Sequence, residues 1–486
     1  VEVGLRKVLG IGVMLLGVAV LGLWANSHEA PALQSRIAAG AAQVAGGSVH
    51  GISTMVSGRD INIAGLADSA AERDALMAAL NDVPGRRVVR GELQLLPAVS
   101  PFETAVFKSA EGGLSASGHV PTEKARALLT PALGEAASAL VLASGAPEGQ
   151  MPAVIAGIAA LGPMISGAAE VSDGKLHVSG DVLGPGERGA VLLALAGLPE
   201  GAVSLDLTLR DDGTPPDWTL DYSAMQGAVL TGKLPKGLEV AAVAGALGLA
   251  RIDNEAKSAL IGEPTPEVPA IFGILKGWMA DFERLRVRIG PGGSRIEAGF
   301  GAGADRELIS GRLAEALGPD VALDIDVVES EAPEGAERMN AATGQAERLS
   351  AGYWLPVASF AADRASCQAQ AENVLEGTTV NFVTGSDRLD ADAQRVLNRL
   401  AAVIAPCAAV GLKAEIGGHT DASGDPLGNI ALSQRRAEAV RAALVARGVP
   451  AAMLRAWGYG ASRPVADNAT DEGRARNRRT TVLWSE

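Results

Sequence analysis

Two side chains in the last quarter of the chain could do chemistry together. Asp421 closes the run GHTD, and Arg436 stands in LSQRRA. One is an acidic acceptor and the other a planar bidentate donor. Read without further context, they are a surface ion pair. His419, two residues before Asp421, has no carboxylate-and-nucleophile pattern around it, so catalysis there is not expected. Five His and two Cys leave little material for metal sites, with no CxxC, no HExxH and no His pair at ligand spacing. Gly299-Phe300-Gly301-Ala302-Gly303-Ala304 matches a dinucleotide loop, but it fills a slot that elsewhere in the chain reads GLADSA or GDVLGP. Asp324, Asp326 and Glu329 lack the loop spacing that calcium needs. The expectation is a protein that is not an enzyme and holds no cofactor or metal. The net charge of −14, from 42 basic and 56 acidic residues, argues against nucleic-acid binding and against a polybasic membrane patch.

The elements that must position these residues alternate between strand and helix. TTVNFVT reads as a strand. DADAQRVLNRLAAVIA reads as a helix capped by Asp390, with Val396, Leu400 and Val403 on one face. LKAEIGGHTD is a strand with Leu412, Ala414 and Ile416 inward. IALSQRRAEAVRAALVARG is a helix closed by Gly448, and RTTVLW is a last strand. Asp421 thus ends a strand, and Arg436 sits about two turns into the next helix. Packing that helix on the sheet can bring both to one pocket mouth.

Several separated motifs here closely resemble the OmpA-like peptidoglycan-binding domain of OmpA, Pal and MotB proteins. They are His419-Thr420-Asp421, Asn429, Leu432-Ser433, Arg436-Ala437, Gly458-Tyr459-Gly460, Arg463-Pro464 and Asn477-Arg478-Arg479. The resemblance implies an α/β sandwich over 366–486 that binds the diaminopimelate of the wall peptide through Asp421 and Arg436. Thr420 and Leu432 join that site from the same motifs. Asn429 either contacts the ligand or caps its helix. Diaminopimelate presents an ammonium and a carboxylate on one carbon, which suits one acidic acceptor beside one planar donor. Arg478 and Arg479 read as structural or rim charges.

Residues 8–25, VLGIGVMLLGVAVLGLWA, carry no charge and span roughly 27 Å as a helix, near the thickness of a hydrocarbon core. Arg6 and Lys7 precede them, which places the N-terminus in the cytoplasm and the bulk in the periplasm. The apolar run is long for a signal peptide and ends in ANSHEAP, a poor cleavage site. The reading is a single-pass inner-membrane anchor. The alternative is export to the periplasm or outer membrane after signal cleavage. In an oxidising compartment Cys367 and Cys407 favour one disulfide.

Between anchor and C-terminal domain a pattern repeats: a strand ending in Gly, an acidic-Arg pair, a helix, a turn and a second strand. It appears at Gly65 with Glu72-Arg73, at Gly180 with Glu187-Arg188, and at Gly299 with Asp305-Arg306. Partial copies end at Gly118 and Gly232. The repeated Gly reads as a tight strand end or a close backbone approach. Residues 33–98 resemble the BON module of bacterial envelope proteins. Residues 99–210 and 211–328 read as one composite BON-like unit occurring twice, and 329–365 as a polar linker. The fold class expected is multidomain α/β (α+β): a transmembrane helix, tandem BON-like modules and the C-terminal domain. The partners expected are peptidoglycan and, through 8–25, the lipid bilayer. The arrangement reads as a tether between membrane and wall. The second reading is an oligomeric scaffold or transport component, with the repeats meeting another copy or an envelope protein. The acidity belongs to the stalk, because residues 361–486 hold 15 basic against 14 acidic side chains.

Overall fold

A computed structural model describes residues 2–264, 267–376 and 378–485. The chain forms two compact units, Val1–Gly213 and Thr214–Glu486.

The first unit begins with one continuous helical run. The α-helix Glu2–Trp24 passes through a π-helical turn, Ala25–Glu29, into the α-helix Ala30–Gly46. The apolar span and the first helix of the stalk are therefore not separate elements. Pro31 causes no break, because it falls at the first turn of the second α-helix, where a missing N–H is tolerated. The apolar part lies bare: Leu9, Met14 and Leu23 are each about 70% exposed. Its mean hydropathy reaches 2.0, and the helix is long and apolar enough to cross a membrane. The side chain of Arg6, one of the two flanking charges, lies outside the described residues. Further on, Ile37 and Ala41 turn inward against a three-stranded sheet of Ser53–Ser57, Asp60–Ala67 and Val88–Leu95. The helix Ala70–Asn81 supplies the parallel crossover, with Leu76 and Leu80 in the core.

Residues 103–209 form a six-stranded sheet in the order Val141–Leu142, Leu114–Val120, Glu103–Lys108, Ser166–Ser172, Lys175–Val182, Val203–Leu209. In the second unit the order Asp253–Asn254, Gly227–Leu234, Asp217–Ser223, Phe282–Gly290, Gly293–Phe300, Val321–Val327 traces the same path. The repeated glycines occupy matching places. Gly118 lies opposite Thr104 and Gly232 opposite Trp218, both with positive φ. A Cβ on either would come within 2.4 Å of a carbonyl oxygen on the neighbouring strand. Close backbone approach is what the glycine serves there.

Residues 329–365 are not a simple linker. Glu337–Met339, Ala346–Ser350 and Tyr353–Pro356 form an antiparallel three-stranded sheet. Its anchor is Arg338, whose side chain is only 5% exposed. Arg338 donates to Glu283 and Glu347 at 2.8 Å each and stacks over the Trp354 ring at 4.2 Å. A guanidinium so deeply placed requires this double pairing, since an unpaired buried charge is costly.

The C-terminal part centres on a sheet ordered Leu454–Gly460, Lys413–His419, Thr480–Ser485, with helices Arg364–Glu376, Ala393–Ala409 and Pro426–Ala446. Cys367 and Cys407 are bonded, with Cα atoms 6.2 Å apart, and both lie fully inside the core between the first two helices. Ala414 and Ile416 point inward, as does the Val396, Leu400 and Val403 stripe. Three local readings need correction. TTVNFVT is not a strand; its one ladder contact is a bridge from Phe382 to Leu389. The next helix begins at Ala393, not at the cap Asp390, although Asp390 still accepts from the Ala393 N–H. The following helix begins at Pro426 with Asp425 as its cap, one turn earlier than the apolar pattern indicates.

Candidate functional site

The central strand delivers His419, Thr420 and Asp421 to one end of the sheet, and the Pro426–Ala446 helix crosses above them. That crossing is close. A Cβ on Gly418 would sit 2.2 Å from the Ser433 carbonyl oxygen, and one on Gly458 would sit 2.4 Å from the Gln434 nitrogen. Ser433 is fully buried, and its hydroxyl accepts from the Gly460 N–H at 2.9 Å. The two glycines therefore set the height of the helix that carries Arg436.

Asp421 is mostly covered, its side chain 14% exposed. One carboxylate oxygen accepts from the Ser423 N–H at 2.9 Å and the other from Arg478 Nη1 at 2.7 Å. Burial works to raise its pKa, but the Arg478 and Ser423 hydrogen bonds outweigh burial and hold the carboxyl below its ordinary value. Asn429 does not cap its helix. Its amide donates to the carbonyls of Asp421 and Ser423, at 3.3 and 2.9 Å, and so pins the loop that carries the carboxylate. From the other side the Ala422 N–H donates to Asn468, which in turn accepts from the fully buried Asn477. Thr420 is buried, and its hydroxyl finds no hydrogen-bond partner among the described residues. Leu432 is half-buried on the helix, outside the main core.

Arg436 does not pair with Asp421. Its Nε donates to the Ser386 carbonyl at 2.9 Å, and its guanidinium lies 4.9 Å from the Phe382 ring centre. Burial, and then the positive charge of Arg478, lower its pKa, while Asp421 is near enough to oppose them. With Nε engaged and one face stacked, the outer nitrogens are the edge left for a carboxylate. The site thus holds one oriented carboxylate and one oriented guanidinium, with Arg478 beside both. The sequence pattern points to Asp421 and Arg436, and the direct partner of Asp421 is Arg478, which the pattern does not reveal. Nor does the pattern reveal Phe382 and Ser386. The phenylalanine in NFVT was the available signal, because an aromatic outside the sheet is a ready platform for arginine.

His419 is interior and serves the scaffold. It stacks on Tyr459 with ring centres 5.0 Å apart, and Nε2 is 3.1 Å from the Thr481 hydroxyl. Burial first, and then the charges of Arg479 and Arg463, push its pKa down to about 4. It is a neutral imidazole at pH 7.

Fold and side chains together define a small α/β domain that carries a carboxylate just past a strand end and a guanidinium on the helix that follows. Residues 381–478 match the OmpA family, and this C-terminal domain belongs to it. The outer-membrane lipoprotein YfiB of Pseudomonas aeruginosa is 42% identical over 105 residues, which are 21% of this chain and 61% of YfiB. The peptidoglycan-binding protein ArfA of Mycobacterium tuberculosis is 39% identical over 112 residues, covering 23% of this chain and 33% of ArfA. The chain thus spans less than two thirds of either curated relative. The crystal structure of the peptidoglycan-associated lipoprotein from Burkholderia pseudomallei aligns at 32% identity over 22% of this chain and 92% of that one, with a TM-score of 0.21.

Proposed function

We propose that this protein binds peptidoglycan non-covalently through its C-terminal domain and tethers a membrane to the cell wall, without being an enzyme. The observation that carries the reading is the site itself: a carboxylate at Asp421 and a guanidinium at Arg436, each fixed by its own partners. Diaminopimelate, in the stem peptide, offers an ammonium to Asp421 and a carboxylate to Arg436. Asn429 holds the Asp421 loop, and in this reading Thr420 and Leu432 join the same site. The names of YfiB and ArfA support the envelope setting and the wall ligand. The apolar helix supports an inner-membrane anchor with the bulk of the chain in the periplasm. Residues 33–328 act as BON-like spacer modules between the two. Confinement at the membrane raises the effective concentration of a wall binder of modest affinity.

The test is a pull-down on diaminopimelate-type sacculi. Asp421→Ala and Arg436→Ala should each lose retention while keeping the circular dichroism of the parent. Undiminished retention of both variants would refute the proposal.

A further inference from the structure

The loop that fixes Arg436 has a second attachment, on the module that precedes the C-terminal domain. The loop is a tight hairpin. The Val383 N–H donates to the Arg388 carbonyl, the Ser386 N–H to Val383, and the Arg388 N–H to the Ser386 hydroxyl, all at 2.9 Å. One side of the hairpin presents the Ser386 carbonyl and the Phe382 ring to Arg436. From the other side Arg388 reaches the start of the helix Arg306–Leu317. Its Nε donates to Asp305 at 2.7 Å, and Nη2 meets Glu307 at 3.0 Å. Asp305 is itself held, because its other oxygen caps that helix by accepting from the Leu308 N–H. Two more pairs brace the same junction: Arg312 with Asp392 at 2.9 Å, and Arg395 with Asp281 at 2.8 Å.

We infer that Arg388 is a positioning residue for the wall ligand, through which Asp305 and Glu307 of the 211–328 module set the orientation of Arg436. This inference rests on the proposed role of Arg436 in binding the stem peptide. The physical argument is short. A guanidinium recognises a carboxylate well only when its plane is fixed, and the plane of Arg436 is fixed by one carbonyl and one ring. Both belong to an eight-residue hairpin with a single bridge, Phe382 to Leu389, and no longer ladder of its own. Such a hairpin has little rigidity by itself. Its tie to Asp305, at the rigid end of a helix, supplies what the hairpin lacks. The module is then part of the binding apparatus as well as a spacer.

The experiment uses the full chain in detergent and a purified diaminopimelate-containing muropeptide. Arg388→Ala should weaken affinity about 3- to 10-fold, a typical size for coupling through a packed network. Asp305→Asn should act in the same direction, because asparagine keeps the helix cap while removing the charge. Arg388→Lys should restore part of the loss. A merely structural role would not move the ¹⁵Nε resonance of Arg436. That resonance should shift in Arg388→Ala and in Asp305→Asn, with the melting temperature nearly unchanged. Arg436→Ala is the control. If it abolishes binding while Arg388→Ala and Asp305→Asn bind as the parent does, the inference is overturned and the binding reading stands. If Arg436→Ala binds normally, the binding reading itself fails, and the inference with it.

Discussion

Arg478 donates to the carboxylate of Asp421 at 2.7 Å across 57 residues of sequence. It neutralises the acid in the free protein and fixes the plane of its oxygens. Each carboxylate oxygen has a second lone pair, so a ligand ammonium can be accepted without displacing Arg478. The pairing also has a pH consequence. In the proposed function the binding form is the carboxylate, and Arg478 helps to hold its pKa below the ordinary value. Binding should therefore persist to pH values below the usual carboxylate range. In Arg478→Ala burial acts with less opposition, the pKa rises, and the acid midpoint of binding moves to higher pH. Muropeptide affinity measured from pH 3 to 7 on both proteins checks this. An unchanged midpoint would rule out the pairing as the cause.

The disulfide closes a loop of 40 residues in the core of the C-terminal domain. Restricting the unfolded chain by that length contributes about 4 kcal/mol on the loop-entropy model. The double variant Cys367→Ala/Cys407→Ala should lose stability of that order in chemical denaturation, and binding per folded molecule should stay near normal. A loss below about 1 kcal/mol would contradict the assignment.

His419 makes the C-terminal sheet sensitive to mild acid. Its folded pKa, about 4, lies below its ordinary value of 6.5, so the unfolded chain takes up the proton first. Its contribution is complete above about pH 6.5 and is lost as pH falls towards 4. Asp281, pushed up to about 6 chiefly by burial, works in the opposite sense over part of the same range. Comparing the parent with His419→Gln separates the two. Hydrogen exchange of Lys413–His419 between pH 4 and 7 should accelerate on acidification in the parent, relative to intrinsic rates, and should do so less steeply in the variant.

Gly418 is pressed against the Ser433 carbonyl of the helix that carries Arg436. Gly418→Ala should cost about 1–3 kcal/mol through overpacking and should weaken muropeptide binding as the helix is displaced. Denaturation and calorimetry on the same preparation read both effects. Wild-type values for both would show that the helix height is not set there.

Much of this was legible from local pattern. The alternation in LKAEIGGHTD gives the strand Lys413–His419, which stops two residues short of the expected end at Asp421, and Gly448 marks the end of the Arg436 helix. The start of that helix was readable as well, since Asp425-Pro426 is a cap followed by proline at the first turn. The apolar periodicity that begins at Ile430 masks it and leaves Asn429 open to reading as a cap as well as a ligand contact. The 329–365 segment was illegible for a different reason. Its strands are three to five residues long, and its organising group is Arg338, whose partner Glu283 lies 55 residues away. No periodicity reports a buried charge pair made across such a distance. The Asp421–Arg478 and Arg388–Asp305 contacts were hidden in the same way.

In the proposed function Arg436 reads the free carboxylate of diaminopimelate while Asp421 reads its ammonium. The most direct measurement is calorimetric affinity of the full chain for two muropeptides that differ at one residue, diaminopimelate against lysine. Lysine keeps the ammonium and lacks the carboxylate. A hydrogen bond to a charged group contributes about 1.5–3 kcal/mol, so the lysine form should bind roughly 10- to 150-fold more weakly. Arg436→Ala should bind both forms weakly and with little distinction between them. Equal affinity of the parent protein for the two muropeptides would contradict the account.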